Sequence, residues 1–243
     1  MGPRKTPSPI ANAAAGAVDL DALGRHALRF VKPGQTIGLG TGRAAAAFIR
    51  ALGASGFKVR GVATSEASAA LARSLKIELV QLHDVPRLDT DFDGADEVDP
   101  HLDMIKGLGG ALVREKIVAA SARRRIFLIG AEKLVKRLGA HGNLPVEVVP
   151  FAEIYAAREI SRHGLKPKLR TSANGKPYIS DNGNLILDCG VTEIRNPARL
   201  ERALLMIAGV VGTGLFVAMA DLVIVAHAGG KIEILRRKSP SKS

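Results

Sequence analysis

Thr36-Ile37-Gly38-Leu39-Gly40-Thr41-Gly42, followed by Arg43-Ala44-Ala45-Ala46-Ala47-Phe48-Ile49-Arg50-Ala51-Leu52, is the stretch that decides the fold. Its first five residues form a short apolar run of the kind found in a buried strand. The alanine-rich segment after Gly42 is a strong helix former, expected to end at Gly53. Upstream, Leu23, Ala27 and Leu28 recur at helical spacing between Asp21 and Phe30, and Lys32-Pro33-Gly34 stops that helix. The unit reads as helix, strand, tight glycine turn, helix.

The same alternation continues along the chain. Val59 to Ala63, Ile77 to Leu82, a segment ending near Asp93, and Ile126 to Ile129 read as strands, with helices over 65–75 and 111–122 between them. This pattern predicts an α/β fold: a doubly wound, mostly parallel sheet with helices on both faces. Near Gly142-Asn143-Leu144-Pro145 the character changes. Strands are expected at Val146 to Val149, Leu169 to Thr171, Tyr178 to Ser180, Leu185 to Cys189 and Val210 to Phe216, and helices at Phe151 to His163 and 197–207. Asp221 to Ala226 reads as a last strand that returns to the first sheet. The expected organisation is a disordered tail over 1–16, a main domain over 17–145 and 213–235, a smaller inserted α+β domain over 146–212, and a basic tail over 236–243.

Composition narrows the class. Hydrophobic residues make up 47% and charged residues 24%, which is ordinary for a globular chain, while aromatics are only 4%. The core must therefore be built from Ala, Val, Leu and Ile. Lys+Arg is 35 against Asp+Glu 23, a formal charge of +12. The basic groups, Arg123-Arg124-Arg125 among them, are dispersed and not interleaved with aromatics. They read as a basic surface, with nucleic-acid binding as a competing reading that predicts steep salt dependence. Cys189, the only cysteine, excludes an internal disulfide and suits a reducing compartment; in an apolar strand it reads as a buried structural thiol. No apolar run has the length of a membrane span, and the six histidines show no metal-ligand spacing.

Three clusters carry possible chemistry. Gly38-Leu39-Gly40-Thr41-Gly42 lets backbone approach an anion at a helix N-terminus, and is equally a turn that needs glycine for steric reasons. Asp93-Gly94-Ala95-Asp96-Glu97 crowds carboxylates just after a strand. That raises at least one pKa and suits proton transfer, although an acidic turn capping a helix has the same composition. Lys106-Gly107-Leu108-Gly109-Gly110 places a cation in a glycine turn where backbone N–H groups crowd one oxyanion. Glu115, between Arg114 and Lys116 in the following helix, reads by itself as part of a solvated face on a helix whose apolar positions include Leu112, Val113 and Ile117.

Taken together, GLGTG at 38–42, TSEAS at 64–68, DGADEVD at 93–99, MIKGLGGALVREK at 104–116 and DNGNLILD at 181–188, in register over about residues 18–228, resemble the ribose-5-phosphate isomerase A family. The resemblance implies a cytoplasmic, cofactor- and metal-independent homo-oligomer, a dimer or tetramer, that interconverts ribose 5-phosphate and ribulose 5-phosphate through a cis-enediolate. It implies Glu115 as general base, with Lys106, Asp93 and Asp96 also catalytic. It places substrate contacts at Gly40, Thr41, Gly42, Arg43, Ala44, Gly94, Ala95, Gly107, Leu108, Gly109 and Lys133. The partner is a small-molecule sugar phosphate, with neither nucleic acid nor membrane.

Three departures stand out. Arg43-Ala44 replace the usual Ser-Thr, Leu20 replaces a lysine frequent in the first helix, and Leu108 replaces a glycine. Arg43 can supply a bidentate phosphate grip in place of the lost hydroxyls. A different sugar phosphate, or a non-catalytic sugar-phosphate-sensing module, are the alternative readings.

Overall fold

A computed structural model of the chain describes residues 18–237, so the expected tail over 1–16 and residues 238–243 of the basic tail lie outside the described residues. In chain order the elements are α1 Leu20–Ala27, β1 Thr36–Leu39, α2 Arg43–Ser55, β2 Arg60–Ala63, α3 Glu66–Ser74, β3 Glu78–Leu79, β4 Leu88–Gly94, β5 Glu97–Val98, β6 Met104–Ile105, α4 Leu112–Ser121 and β7 Ala122–Gly130. They continue with β8 Asn143–Val148, α5 Glu153–Ser161, β9 Lys166–Leu169, β10 Leu185–Gly190, α6 Pro197–Leu205, β11 Val210–Thr213, β12 Leu215–Phe216, β13 Leu222–Ala226 and β14 Ile232–Arg236.

The main sheet has seven strands in the order β14-β13-β7-β4-β1-β2-β3, all parallel except β14. Parallel strands need helical crossovers, and these helices cover the sheet. On one face α1 and α2 bury Leu23, Ala27, Phe48 and Ile49 against Ile37, Leu39, Phe92 and Ile224, with the Phe48 and Phe92 rings stacked at 4.3 Å. On the other, Val118 of α4 packs on Val62, Leu88 and Ala122. A four-stranded antiparallel sheet, β11-β8-β10-β9, carries α5 and α6 over its own core, including Leu144, Val146, Ile160, Leu187 and Cys189. This is the expected fold class, a mostly parallel α/β sheet with a smaller α+β part. A third sheet, β12-β6-β5, was not foreseen.

Local differences from the sequence reading have physical causes. Helix α2 passes through Gly53 and stops at Gly56, whose φ of 75° supplies the left-handed cap; Gly53 instead makes room for Leu75. The expected strand over 210–216 breaks at Gly214. There the chain crosses between sheets, and the Gly214 carbonyl accepts from Lys106 N at 2.9 Å. Residues 77–82 keep only a two-residue strand before a tight turn, and Tyr178 to Ser180 forms only an isolated bridge, Ile179 to Leu185. Strand β14, unforeseen, pairs antiparallel with β13 after the turn at Gly229-Gly230. Arg236 and Arg237 thus belong to the fold rather than to a tail, and Arg237 pairs with Asp103 at 2.9 Å. Strand β7 extends through the basic triplet: Arg125 grips Asp221 through two bonds of 2.9 and 2.8 Å, and Arg124 lies over the Phe30 ring. Among the described residues no helix is long and apolar enough to cross a membrane.

Helices α1 and α2 touch backbone to side face at Gly24, where an added Cβ would lie 2.6 Å from Ala47 O and 2.9 Å from Phe48 N. Gly24→Ala is therefore expected to cost about 1–3 kcal/mol by overpacking, despite a gain of up to about 1 kcal/mol in helix propensity. Thermal denaturation checks this; an unchanged or raised Tm contradicts it.

Candidate active site

The site lies at the C-terminal ends of β1 and β4, where an open α/β sheet leaves a crevice. Here Gly40, Thr41 and Gly42 turn the chain from β1 into α2. Gly40 has no space for a Cβ, which would stand 2.5 Å from the Asp93 Cα and collide with its carboxylate. Gly42 has a φ of 100° and leaves the first turn of α2 without a side-chain cap, so its free N–H groups are available to an anion. Thr41 faces inward: its N–H donates to Asp93 Oδ1 at 3.0 Å, and its hydroxyl meets those of Thr64 and Ser65 at 2.8 Å each. Ser68 donates to Gly40 O at 2.6 Å. The TSEAS segment is thus the clamp behind the glycine turn, a role its composition alone did not disclose.

Asp93, one residue before the end of β4, has no solvent exposure, and its Oδ1 also accepts from Gly94 N at 2.7 Å. Its Oδ2 faces the Lys106 ammonium at 2.9 Å. Lys106 lies just after β6, where its backbone bond to Gly214 fixes it, and its side chain is 2% exposed between the rings of Phe127 and Phe216. Its Nζ donates to Gly94 O at 2.6 Å and lies 3.3 Å from Glu115 Oε2. That carbonyl bond is the well-directed one, so Asp93 Oδ2 and Glu115 Oε2 remain unsaturated. Glu115, in the first turn of α4, is 3% exposed. This overturns the solvated-face reading: the inward side of α4 is Leu112, Glu115, Val118 and Ala119, whereas Ile117 is 48% exposed.

Electrostatics follow from this burial. Desolvation raises the Glu115 carboxyl to about 8, against the pull of Lys106 and with the help of Asp93 and Asp96. Asp93 is also raised by burial, with Lys106 and two backbone N–H groups opposing. Burial alone would lower Lys106, but the facing Asp93 and Glu115 carboxylates reverse this and hold its ammonium firmly protonated. Behind Asp93, Asp91 has no exposure and no hydrogen bond to either oxygen; burial first, then Asp93, raises it well above the ordinary carboxylate range. Cys189, buried in β10, is pushed up to about 12 by desolvation, an inert thiol.

The cleft brings together most of the residues singled out from the sequence. Thr41, Gly42, Arg43, Ala44, Gly94, Ala95, Asp96, Lys106, Gly107, Gly109, Glu115 and Lys133 line it. Asp93 and Gly40 sit behind the lining rather than in it. Leu108 does not line it: its side chain is 44% exposed while its N–H bonds Asp96 Oδ2 at 3.0 Å. Leu20 and Glu132 also line the cleft and were not singled out as contacts; Leu20 had appeared only as a departure from the family pattern.

The raised Glu115 value carries a stability consequence. Between pH 4.5 and about 8 the folded chain holds a proton that the unfolded chain has lost, so the contribution is full below 4.5 and lost as pH rises through about 8. Glu115→Gln, which does not titrate, should gain stability relative to the unaltered chain from pH 5 to pH 8.5. Urea denaturation at both pH values checks this, and the opposite trend contradicts the assignment.

Residues 60–230 match the family model for ribose 5-phosphate isomerase A (phosphoriboisomerase A). The ribose-5-phosphate isomerase A of Roseiflexus sp. (strain RS-1) is 48% identical over 86% of this chain and 92% of its own length, and that of Thermomicrobium roseum is 49% identical over 88% and 91%. The solved ribose 5-phosphate isomerase A of Methanocaldococcus jannaschii superposes with a TM-score of 0.84 at 38% identity, covering 89% of this chain and 98% of that one. A D-ribose-5-phosphate isomerase solved in complex with phospho-erythronic acid gives 0.86 at 38% identity, covering 90% and 97%. With its fold, its five motifs and these relatives in agreement, the chain belongs to the ribose 5-phosphate isomerase A family.

Proposed function

We propose that the chain interconverts ribose 5-phosphate and ribulose 5-phosphate, with Glu115 carrying the proton between C2 and C1 of the open-chain sugar. The carboxylate form takes the C2 proton, and the electron pair moves through C1 onto the carbonyl oxygen to give a cis-enediolate. The O2 hydroxyl proton passes to O1 and the carbon-bound proton returns from Glu115 to C1, which completes the ketose with atoms and charge balanced and no redox partner. Lys106 and backbone N–H groups of the glycine turn meet the charge on oxygen, and Asp93 or Asp96 exchanges the hydroxyl protons and assists ring opening. The observation that carries this reading is the 3.3 Å approach of a buried glutamate to a buried ammonium on the floor of one cleft. A module that only sensed the sugar phosphate has no use for such a proton-holding pair.

The phosphate is assigned to the other end of the cleft. Arg43 opens α2 beside that helix's uncapped N–H groups, and Lys133 stands on the turn after β7. Phospho-erythronate, bound by a relative, is expected to bind here as an anionic analogue. The same reading makes the chain a cytoplasmic homo-oligomer. Phe151, Ile154 and Met206, at 102%, 82% and 85% exposure, support an intersubunit face beside the contact of Ala152, just before α5, with Gly209, which follows α6.

An isomerase assay with ribose 5-phosphate tests the assignment. Glu115→Gln should lose about 10²–10⁴-fold in kcat, the range for a general base, and equal rates refute the role. In the unaltered enzyme kcat/KM should rise with pH to a midpoint near 8, because the base acts ionised. Arg43→Ala should raise KM at least ~10-fold with kcat little changed, as expected for a charged phosphate contact; an unchanged KM contradicts the assignment.

A further inference from the structure

We infer that Arg170, from the smaller antiparallel sheet, is the positioning residue that aims the Gly109 N–H into the cleft as an oxyanion donor; the inference rests on the isomerase reading above. Arg170 follows β9 and reaches across to the glycine turn. Its Nη1 donates to the carbonyls of Gly107 and Leu108, both at 3.1 Å.

Peptide geometry turns those two bonds into an orientation. In a trans peptide the C=O and the next N–H point in opposite directions, and the described residues contain no cis bond. A Gly107 carbonyl drawn toward Arg170 therefore turns the Leu108 N–H away from it, and that N–H is found on Asp96 Oδ2 at 3.0 Å. By the same rule, the Leu108 carbonyl on Arg170 turns the Gly109 N–H away. Gly109 lines the cleft, and its N–H has no protein partner among the described residues. Gly110 N closes the turn on Gly107 O at 3.0 Å, so among the described residues the N–H groups of Gly107 and Gly109 are the turn's unpaired donors, and it is the Gly109 N–H that follows a carbonyl held by Arg170.

The arginine is itself held. Its Nε and Nη2 grip Asp188 at 2.8 and 2.5 Å, Asn143 donates to the same carboxylate at 2.9 Å, and the side chain is only 12% exposed. The Tyr178 ring lies under the guanidinium at 5.8 Å, and the Tyr178 hydroxyl packs against Gly110, where a Cβ would collide with it. A guanidinium has enough fixed donors to serve Asp188 and two carbonyls together; an ammonium has no such planar fork. The DNGNLILD segment, which ends in Asp188, thus gains a connection to the chemistry, through Arg170 and the turn.

The test is Arg170→Met and Arg170→Lys in the full chain, read as kcat, KM for ribose 5-phosphate, and Ki for phospho-erythronate, whose carboxylate places charge where the enediolate oxygen develops. A misaimed donor should lower kcat by about 10- to 100-fold and raise Ki at least ~10-fold, while KM, which reports the uncharged carbonyl, moves less than ~3-fold. Arg170→Lys should recover only a small part of kcat. Unchanged kcat and Ki, or a rise confined to KM, overturns the inference. If Arg170→Met does not fold, Asp188→Asn keeps the arginine and loosens its anchor; kcat and Ki should move together in the same directions, and failure to do so overturns it. Glu115→Gln separates the two levels: loss of turnover with Ki held within ~3-fold supports the isomerase reading whatever Arg170 does, whereas full turnover in that variant removes the ground for both.

Discussion

One ammonium, Lys106, is buried among three carboxyl groups, Asp91, Asp93 and Glu115, with almost no water to share the charge. A cation in such surroundings is tolerable only if it is paired, and one cation cannot offset three anions, so protons must remain on part of the cluster. Burial raises all three carboxyl groups, Glu115 to about 8. The phenyl rings of Phe127 and Phe216 flank the ammonium and strengthen every interaction there by excluding solvent. The result is a carboxyl group that holds a proton loosely at neutral pH beside a fixed positive charge. That combination suits moving a carbon-bound proton and receiving the charge left on oxygen.

The fold is arranged to hold this conflict in place. Gly40 and Gly38 pass so close to Asp93 and Asp91 that any side chain would displace a carboxylate. Gly214 anchors the Lys106 backbone as the chain crosses from one sheet to another, and Thr41, Thr64 and Ser65 lock the turn above Asp93. The smaller sheet contributes from outside through Arg170, Tyr178 and Asp188. The two parts of the chain therefore meet at the glycine turn.

Much of this was legible in the residues. The glycine turn between a strand and an alanine-rich helix predicts the parallel sheet, and the alternation that follows it places β1, β2, β4 and β7. What escaped has identifiable causes. Strands β5, β6 and β12 are two residues each, too short for any periodicity to register, and β14 is a half-exposed edge whose signal was the Gly229-Gly230 turn before it. Glu115 shows why a site can hide from periodicity: with Arg114 and Lys116 beside it the helix reads as polar there, yet the tertiary packing buries Glu115 and exposes Ile117. Only the order of the five motifs singled it out. Arg170 carried no signal at all, because its role depends on carbonyls some sixty residues away in sequence.

The central claim is the protonation state of one carboxyl group, and it can be observed without turnover. Carbon-13 NMR of the glutamate side-chain carboxyls, with Glu115 assigned by its loss in Glu115→Gln, should show a titration with a midpoint near 8 that moves higher when Lys106 is replaced by Met. A midpoint near the ordinary 4.5, indifferent to Lys106, would contradict the account.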